Sequence, residues 1–296
     1  MDFTGMKVWI TGGAGFLGQR LTKELQNSGA EVTSISRRKS PISLKSFQIN
    51  LAGDTDRLKS LVGEHGSPDV LIHTASKQPG SGTFGEFVKS NVLTAANLVD
   101  TFRDDPPRQI IYTSTLSVYA RPSTLPVNEQ HPPVFPSPYS ATKRWGEQLF
   151  ETFKSSQVTV LRLPSLYGAG QADSFIDGLA RLALANRPIE LFGMGQLVRD
   201  ALHVSDVTRA VQSCIDQLPS DQFCLMNLGC GRRITTTEYA EALVESLNSK
   251  SAIVPVDRPV SLFDCYADIS LATRLIGFQP TDLRESMRIY ANELRA

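Results

Sequence analysis

Tyr139 and Lys143 stand four residues apart in Tyr139-Ser140-Ala141-Thr142-Lys143. On a helix, that spacing puts both side chains on one face. A free phenol ionises near pH ~10 and is a poor proton donor or acceptor at neutral pH. A lysine cation beside it stabilises the phenolate and lowers that value. The pair is a candidate proton-transfer device, although the same spacing is common by chance. A second candidate is the run Lys7-Val8-Trp9-Ile10-Thr11-Gly12-Gly13-Ala14-Gly15-Phe16-Leu17-Gly18. It fits G-x-G-x-x-G through Gly13, Gly15 and Gly18, and G-x-x-G-x-x-G through Gly12, Gly15 and Gly18. Glycines let the backbone turn sharply and approach a ligand with no side chain between. Free N–H groups at the start of the next helix favour an anion, typically the pyrophosphate of a dinucleotide. The bland alternative is a tight turn. A third candidate is Ser36-Arg37-Arg38-Lys39. An NAD site usually carries an acid about 20 residues after the glycines, to bind the ribose 2′-hydroxyl. No acid occurs between Glu31 and Asp54. A 2′-phosphate would find two guanidinium groups here. The pattern favours NADP(H) over NAD(H), leaves NAD(H) open, and has a solvated basic turn as its alternative.

These groups need a scaffold, and the hydrophobic pattern predicts one. Val8 to Ile10 reads as a buried strand, and Leu17, Leu21 and Leu25 give the next helix an apolar face until Gly29. Strands are expected at Val32–Ser36, Phe47–Leu51, Val70–Ala75, Ile110–Thr115 and Val158–Leu163. Helices are expected around Leu58–Gly63, at Phe84–Phe102 and at Tyr139–Phe153. His73 lies inside an apolar strand and reads as a packed core histidine. Residues 77–85 form a Gly, Ser and Pro loop beyond that strand, where ligands of parallel sheets bind. Arg121 to Pro138 is a proline-rich loop. This alternation predicts an α/β fold, a Rossmann-like doubly wound parallel sheet with a smaller C-terminal substrate lobe. Residues 1–165 would be the dinucleotide-binding domain, with a segment near 199–220 returning to it. Residues 166–198 and 221–296 would be the substrate-binding lobe, with short helices near 174–186, 205–217 and 236–248 and a turn-rich piece at 191–196.

Bulk properties exclude several classes. The chain has 296 residues, 41% of them hydrophobic, so it can bury a large core. Thirty basic residues balance thirty acidic ones, which gives no support for nucleic acid or an anionic membrane as partner. No apolar stretch reaches the roughly 18 residues of a membrane span. The first strand begins too early to leave room for a signal peptide. The four cysteines, Cys214, Cys224, Cys230 and Cys265, form no C-x-x-C pair. Neither a metal site nor a disulfide framework is expected. A cytoplasmic protein with reduced thiols is.

Assembled in order, the motifs resemble those of the extended short-chain dehydrogenase/reductases, in the group of nucleotide-sugar epimerases, dehydratases and reductases. Thr11 to Gly18 is similar to T-G-G-x-G-F-x-G, and Ile72-His73-Thr74-Ala75 to the fourth-strand motif. Ser114-Thr115-Leu116-Ser117-Val118-Tyr119 resembles S-S/T-x-x-V-Y, and Tyr139 with Lys143 matches Y-x-x-x-K. Arg199-Asp200-Ala201-Leu202-His203-Val204-Ser205-Asp206-Val207 is similar to R-D-F-x-x-V-x-D-V. Asn227-Leu228-Gly229 and Leu275-Ile276-Gly277-Phe278-Gln279-Pro280 resemble C-terminal signatures. The likeness spans nearly the whole chain.

The resemblance implies roles. Tyr139 would be the acid/base, and Lys143 would hold the nicotinamide ribose and lower the tyrosine pKa. Thr115 would order the substrate oxygen, with Ser114 as its rival. Cofactor contacts would come from Gly12, Gly15, Phe16, Leu17, Gly18, Ser36, Arg37, Arg38, Asn50, Leu51, Thr74, Ala75, Ser76, Asn91 and Leu163, besides Tyr139 and Lys143. Lys77, Thr115, Ser165 and Arg199 would contact a nucleotide-diphosphate sugar. Arg199 could instead pair with Asp200 or Asp206. Leu116-Ser117 replaces the Asp-Glu of dehydratases, which removes the acid and base for eliminating water. Ser165 replaces a common asparagine, and Asn50-Leu51 replaces Asp-Leu. The resemblance also implies a homodimer formed through the helices near 84–103 and 139–153. The leading functional expectation is NADPH-dependent reduction of a nucleotide-activated 4-keto hexose. A nucleotide-sugar 4-epimerase with tightly held cofactor is the alternative. A non-catalytic dinucleotide-sensing protein is a third reading, opposed by the intact Thr115, Tyr139 and Lys143 set.

Overall fold

All seven residues of one strand, Gln109–Thr115, are buried, as befits a strand covered on both faces of a parallel sheet. The elements around it come from a computed structural model that describes residues 1–80, 82–172, 174–218 and 221–296. In chain order the first part holds β1 (Lys7–Thr11), α1 (Phe16–Asn27), β2 (Glu31–Ser36), β3 (Lys45–Gln48), α2 (Thr55–His65), β4 (Val70–His73), α3 (Phe84–Phe87), α4 (Thr94–Thr101), β5 (Gln109–Thr115), α5 (Pro138–Phe150) and β6 (Gln157–Leu163). The remainder holds β7 (Ser165–Tyr167), α6 (Phe175–Leu184), β8 (Ile189–Phe192), β9 (Ala201–His203), α7 (Val204–Asp216), β10 (Phe223–Asn227), α8 (Thr236–Leu247), β11 (Ile253–Val256), α9 (Ser270–Ile276) and α10 (Leu283–Arg295).

Seven strands form one sheet in the order β10-β6-β5-β4-β1-β2-β3. From β3 across to β5 the pairing is parallel, with Val8 opposite Val32 on one side and Val70 on the other. The strand order reverses between β1 and β4, which is where open α/β sheets bind ligands at their carboxyl ends. Trp9, Ile35, Leu58, Leu71, Leu98 and Tyr112 belong to the core against this sheet. The expected class is therefore the observed one.

Several details differ from the sequence expectation. The third strand is Lys45–Gln48 rather than Phe47–Leu51, because Asn50 opens a turn closed by Asp54 Oδ2, which accepts from the Asn50 N–H at 2.8 Å. The single helix expected over 84–102 is α3, a π-helical turn at Val88–Leu93, and α4. The helix α5 starts at Pro138, where a proline needs no donor, and Ser137 caps it reciprocally with Ser140.

The chain divides into two compact units. The first comprises residues 1–120, 132–162 and 208–226, and the second residues 121–131, 163–207 and 227–296. The expected division set the boundary at 165 and the returning segment at 199–220. The structure sets them at 162 and 208–226, because β10 completes the main sheet. The second unit has two small parallel pairs, β7 with β9 and β8 with β11. Its core includes Tyr167, Ile176, Leu179, Ile189, Tyr239, Leu243, Met287 and Tyr290.

Candidate active site

The glycine turn sits at the strand-order reversal. Gly12 has φ +77°, and a Cβ there would come within 2.7 Å of the Ala75 nitrogen and 2.8 Å of Thr74 Oγ1. A Cβ on Gly18 would lie 2.3 Å from the Gly12 carbonyl oxygen. The turn thus packs at hydrogen-only distance against the end of β4 and the first turn of α1. Gly15 caps α1 with no side-chain hydrogen bond, and the first turn holds no acid. The leading N–H groups, around Phe16, Leu17 and Gly18, combine with the helix dipole to favour an anion. These features fit the pyrophosphate of a dinucleotide.

Around this turn, Thr74 donates from Oγ1 to the Thr11 carbonyl at 2.8 Å. Ser36 Oγ donates to the Arg38 carbonyl and shapes the end of β2. Arg37 and Arg38 are exposed, and neither appears in an ion pair of the described residues. Asn50 Oδ1 accepts from the Ala52 N–H at 3.3 Å, and Leu51 is buried. Asn91, in the π-helical turn, is buried and works as a staple. Its Oδ1 accepts from the Lys77 N–H at 2.7 Å and Ser76 Oγ at 3.2 Å, while Nδ2 donates to Thr142 Oγ1 at 3.0 Å. Asn91 thereby joins the loop after β4 to the helix carrying Tyr139 and Lys143. Of the expected loop 77–85, residue 81 lies outside the described residues. Lys77 Nζ lies 3.8 Å from Glu86 Oε2 and 5.5 Å from the centre of the Phe87 ring.

The residues expected to transfer protons all lie in the first unit. Thr115 ends β5, accepts from the Ser117 N–H at 3.2 Å and lies 2.8 Å from Ser117 Oγ. Its hydroxyl acts on the Tyr139 phenol, lowering it against the effect of burial. Ser114 points elsewhere, donating to Glu147 Oε1. Tyr139 packs edge-on to Phe87 at 6.4 Å. Burial raises its phenol to about 12, against the lowering effect of the Thr115 hydroxyl. Lys143 is buried with Nζ 4.3 Å above the Tyr112 ring. Burial lowers its ammonium to about 7, opposed by Glu147. The expected lysine-driven lowering of the phenol is therefore not what the structure has. Desolvation is the larger effect at both groups: it keeps the proton on the tyrosine and brings the lysine down to where charged and neutral forms coexist near neutral pH.

His73 is a neutral core residue. Its Nδ1 lies 2.6 Å from Thr11 Oγ1, its ring stacks on Tyr112, and burial lowers it to about 3.

Sequence reading missed the charges behind this set. Glu147 and Arg162 form a buried two-pronged pair, with Nε–Oε1 at 3.0 Å and Nη2–Oε2 at 2.7 Å. The spacing of Lys143 and Glu147 on one helix was the available signal.

The remaining expected residues stand outside the first unit. Leu163, the last residue of β6, is buried, and Ser165 begins β7. Arg199 stacks its guanidinium 4.9 Å from the Phe175 ring centre. It does not take the ion-pair alternative, since both Asp200 oxygens accept backbone N–H groups, from Cys230 at 2.8 Å and Ala267 at 2.9 Å. Asp206 accepts from Thr281. Among the described residues no group of three His, Cys, Asp or Glu could hold a metal, and no helix is long and apolar enough to cross a membrane.

Comparison with known proteins agrees with this geometry. The sequence model of the NAD dependent epimerase/dehydratase family matches residues 8–229. A UDP-glucose 4-epimerase of Drosophila melanogaster is 26% identical, over 92% of this chain and 91% of its own. A dTDP-4-dehydro-6-deoxy-D-allose reductase of a Streptomyces species is 25% identical, over 96% and 95%. The solved structure of MoeE5 in complex with UDP-glucuronic acid and NAD is 29% identical, with a TM-score of 0.84 over 98% of this chain and 99% of that one.

Proposed function

Because the chain belongs to the NAD dependent epimerase/dehydratase family, an enzyme family of the extended short-chain dehydrogenase/reductase type, we propose that it reduces the 4-keto group of a nucleotide-activated hexose with NADPH. The observation that carries this reading is the Thr115–Tyr139–Lys143 set, with a phenol that holds its proton at neutral pH. A reductase needs such an acid. A bound nicotinamide would supply the hydride. Tyr139 would donate its proton to the oxygen of the reacting carbonyl, so that an alcohol and not an alkoxide leaves the site. Thr115 would hold that oxygen through its hydroxyl, and Lys143, when charged, would stabilise the phenolate that remains. Gly12, Gly15 and Gly18, with the N–H groups at the start of α1, would hold the pyrophosphate. Arg37 and Arg38 are the reason for choosing NADPH, since both are exposed at the end of β2, where NAD sites carry an acid. Ser165 and Arg199 are proposed contacts of the sugar nucleotide's diphosphate.

A second reading, sugar-nucleotide 4-epimerisation with tightly held NAD(P), is favoured by the epimerases among the relatives. Incubation with NADPH and candidate 4-keto sugar nucleotides separates the two. Stoichiometric loss of NADPH with formation of the alcohol is expected. Interconversion of sugar epimers without nicotinamide turnover would overturn the reduction and establish the second reading.

The protein is further proposed to pair with a second copy through α3, α4 and α5. Phe84 on α3, Leu93 in the π-helical turn between α3 and α4, and Trp145 on α5 stand exposed, and Phe84 meets Trp145 edge-on at 5.9 Å. Sedimentation equilibrium should show a dimer; monomer alone at micromolar concentration would remove the idea.

A further inference from the structure

Glu147 lies on α5, one turn beyond Lys143, and is completely buried. Arg162 on β6 grips its carboxylate with two parallel hydrogen bonds, the strongest geometry such a pair can adopt. Ser114 on β5 donates to Oε1, and Arg144 donates to Oε2 at 3.0 Å. Arg162 also donates from Nη1 to the Tyr119 hydroxyl at 2.7 Å. These bonds tie α5 to β5, to β6 and to the turn after Thr115.

Holding these elements together does not by itself call for charge. Apolar residues of equal volume often replace a buried ion pair at no loss of stability. What they would not supply is a negative charge near Lys143. The groups acting on Lys143 and its neighbourhood come from three strands and its own helix. Tyr112 on β5 is held neutral, its phenol raised well above the usual value by burial and by the charge of Glu147. His73 on β4 is neutral. Tyr139 on α5 keeps its proton. Arg162 and Arg144 are cations engaged with Glu147. Among the described residues, Glu147 is the one group that pushes the Lys143 ammonium back up against burial.

We propose that Glu147 is the positioning residue of the Tyr139–Lys143 pair, a buried counter-ion clamped by Arg162 and Ser114 that keeps the Lys143 ammonium charged on the helix face it shares with Tyr139. The inference rests on the proposed reductase chemistry for its consequence, since Lys143 assists the phenolate only while charged. It also makes Ser114 part of the clamp and leaves Thr115 alone at the reacting oxygen.

The test follows Lys143 directly. Protein labelled with nitrogen-15 lysine is titrated by NMR, and the Lys143 Nζ resonance is identified by its loss in Lys143→Arg. In Glu147→Gln the midpoint should fall by about one pH unit or more, so that the charged-to-neutral ratio at a given pH drops about tenfold. The alkaline limb of kcat/KM should move with it. Glu147→Gln strands the Arg162 charge and can fail to fold, so the double variant Glu147→Met/Arg162→Met keeps the volume and removes the pair. Its midpoint should fall in the same direction but less far, because the repulsion from Arg162 is removed as well. A folded variant in which Lys143 titrates as in the wild type overturns the proposal and leaves Glu147 a structural residue. If Lys143 shifts as expected but the wild type turns over no nicotinamide with any sugar nucleotide, the functional reading fails and the counter-ion stands.

Discussion

Both units bury carboxylates, and Glu147 in one and Asp200 in the other are satisfied in different ways. Glu147 in the first unit is held by guanidinium groups and a hydroxyl. Asp200 in the second is held by backbone N–H groups from Cys230 and Ala267. Its space is so tight that a Cβ on Gly229 would lie 2.3 Å from Oδ2. Burial pushes Asp200 up to about 6 despite those hydrogen bonds. The side-chain clamp fixes charges relative to one another, and so bears on proton chemistry. The backbone clamp fixes chain segments, and so bears on folding.

The largest expected effect lies at the chemical end of the first unit. Tyr139→Phe removes the proposed proton donor and should lower turnover ~10²–10⁴-fold while leaving the thermal midpoint near wild type. Steady-state rates beside a calorimetric scan check this, and a variant with full turnover would remove Tyr139 from the chemistry.

Asp200 should instead show itself in stability. Its folded value, about 6, lies above its ordinary value of 3.8. Between those two pH values the unfolded chain has released the proton that the folded chain still binds, so stability falls as pH rises through this window. The loss from this group is at most about 3 kcal/mol. Urea midpoints measured across the window should fall with rising pH in the wild type, relative to Asp200→Asn. Parallel curves for the two proteins would contradict the assignment.

A smaller effect separates both clamps from cations that have no acid to hold. Arg37→Ala with Arg38→Ala should raise KM for NADPH about tenfold or more and leave NADH nearly unchanged. Equal losses for both cofactors would show that the pair does not read a 2′-phosphate. The smallest is a pH trend in the wild type: with Lys143 at about 7, reduction should slow as pH rises through neutrality. A rate that instead climbs steadily into the alkaline range would mean that the phenolate, and not the phenol, is the working form.

The parallel sheet was legible because its strands are continuous apolar runs closed by turn residues, as in Val70–His73. In the second unit α6 and α8 were legible, close to the expected 174–186 and 236–248, but the strands were not. Its strands β7, β8, β9 and β11 are three or four residues long, and each is stabilised only by a partner distant in sequence. The helix α10 did carry a signal, with buried Leu283, Met287, Tyr290 and Ala291 at helical spacing, that the sequence reading left unused. In the site, Tyr139 and Lys143 were readable from their spacing. The direction of the phenol's shift was not, because it depends on how deeply the fold buries both groups. The grip of Arg162 on Glu147 depends on β6 lying beside β5, which no local pattern encodes.

The π-helical turn at Val88–Leu93 has a consequence for chain length. A π turn carries about one residue more than an α turn, so it resets the phase of everything after it by about 100°. Here Asn91 faces inward and Leu93 stands 40% exposed. Deleting one residue in this turn would restore an ordinary helix and rotate the amide staple away from Ser76, Lys77 and Thr142. The spare residue therefore works like a shim: this stretch should tolerate changes in side chain far better than a change in length.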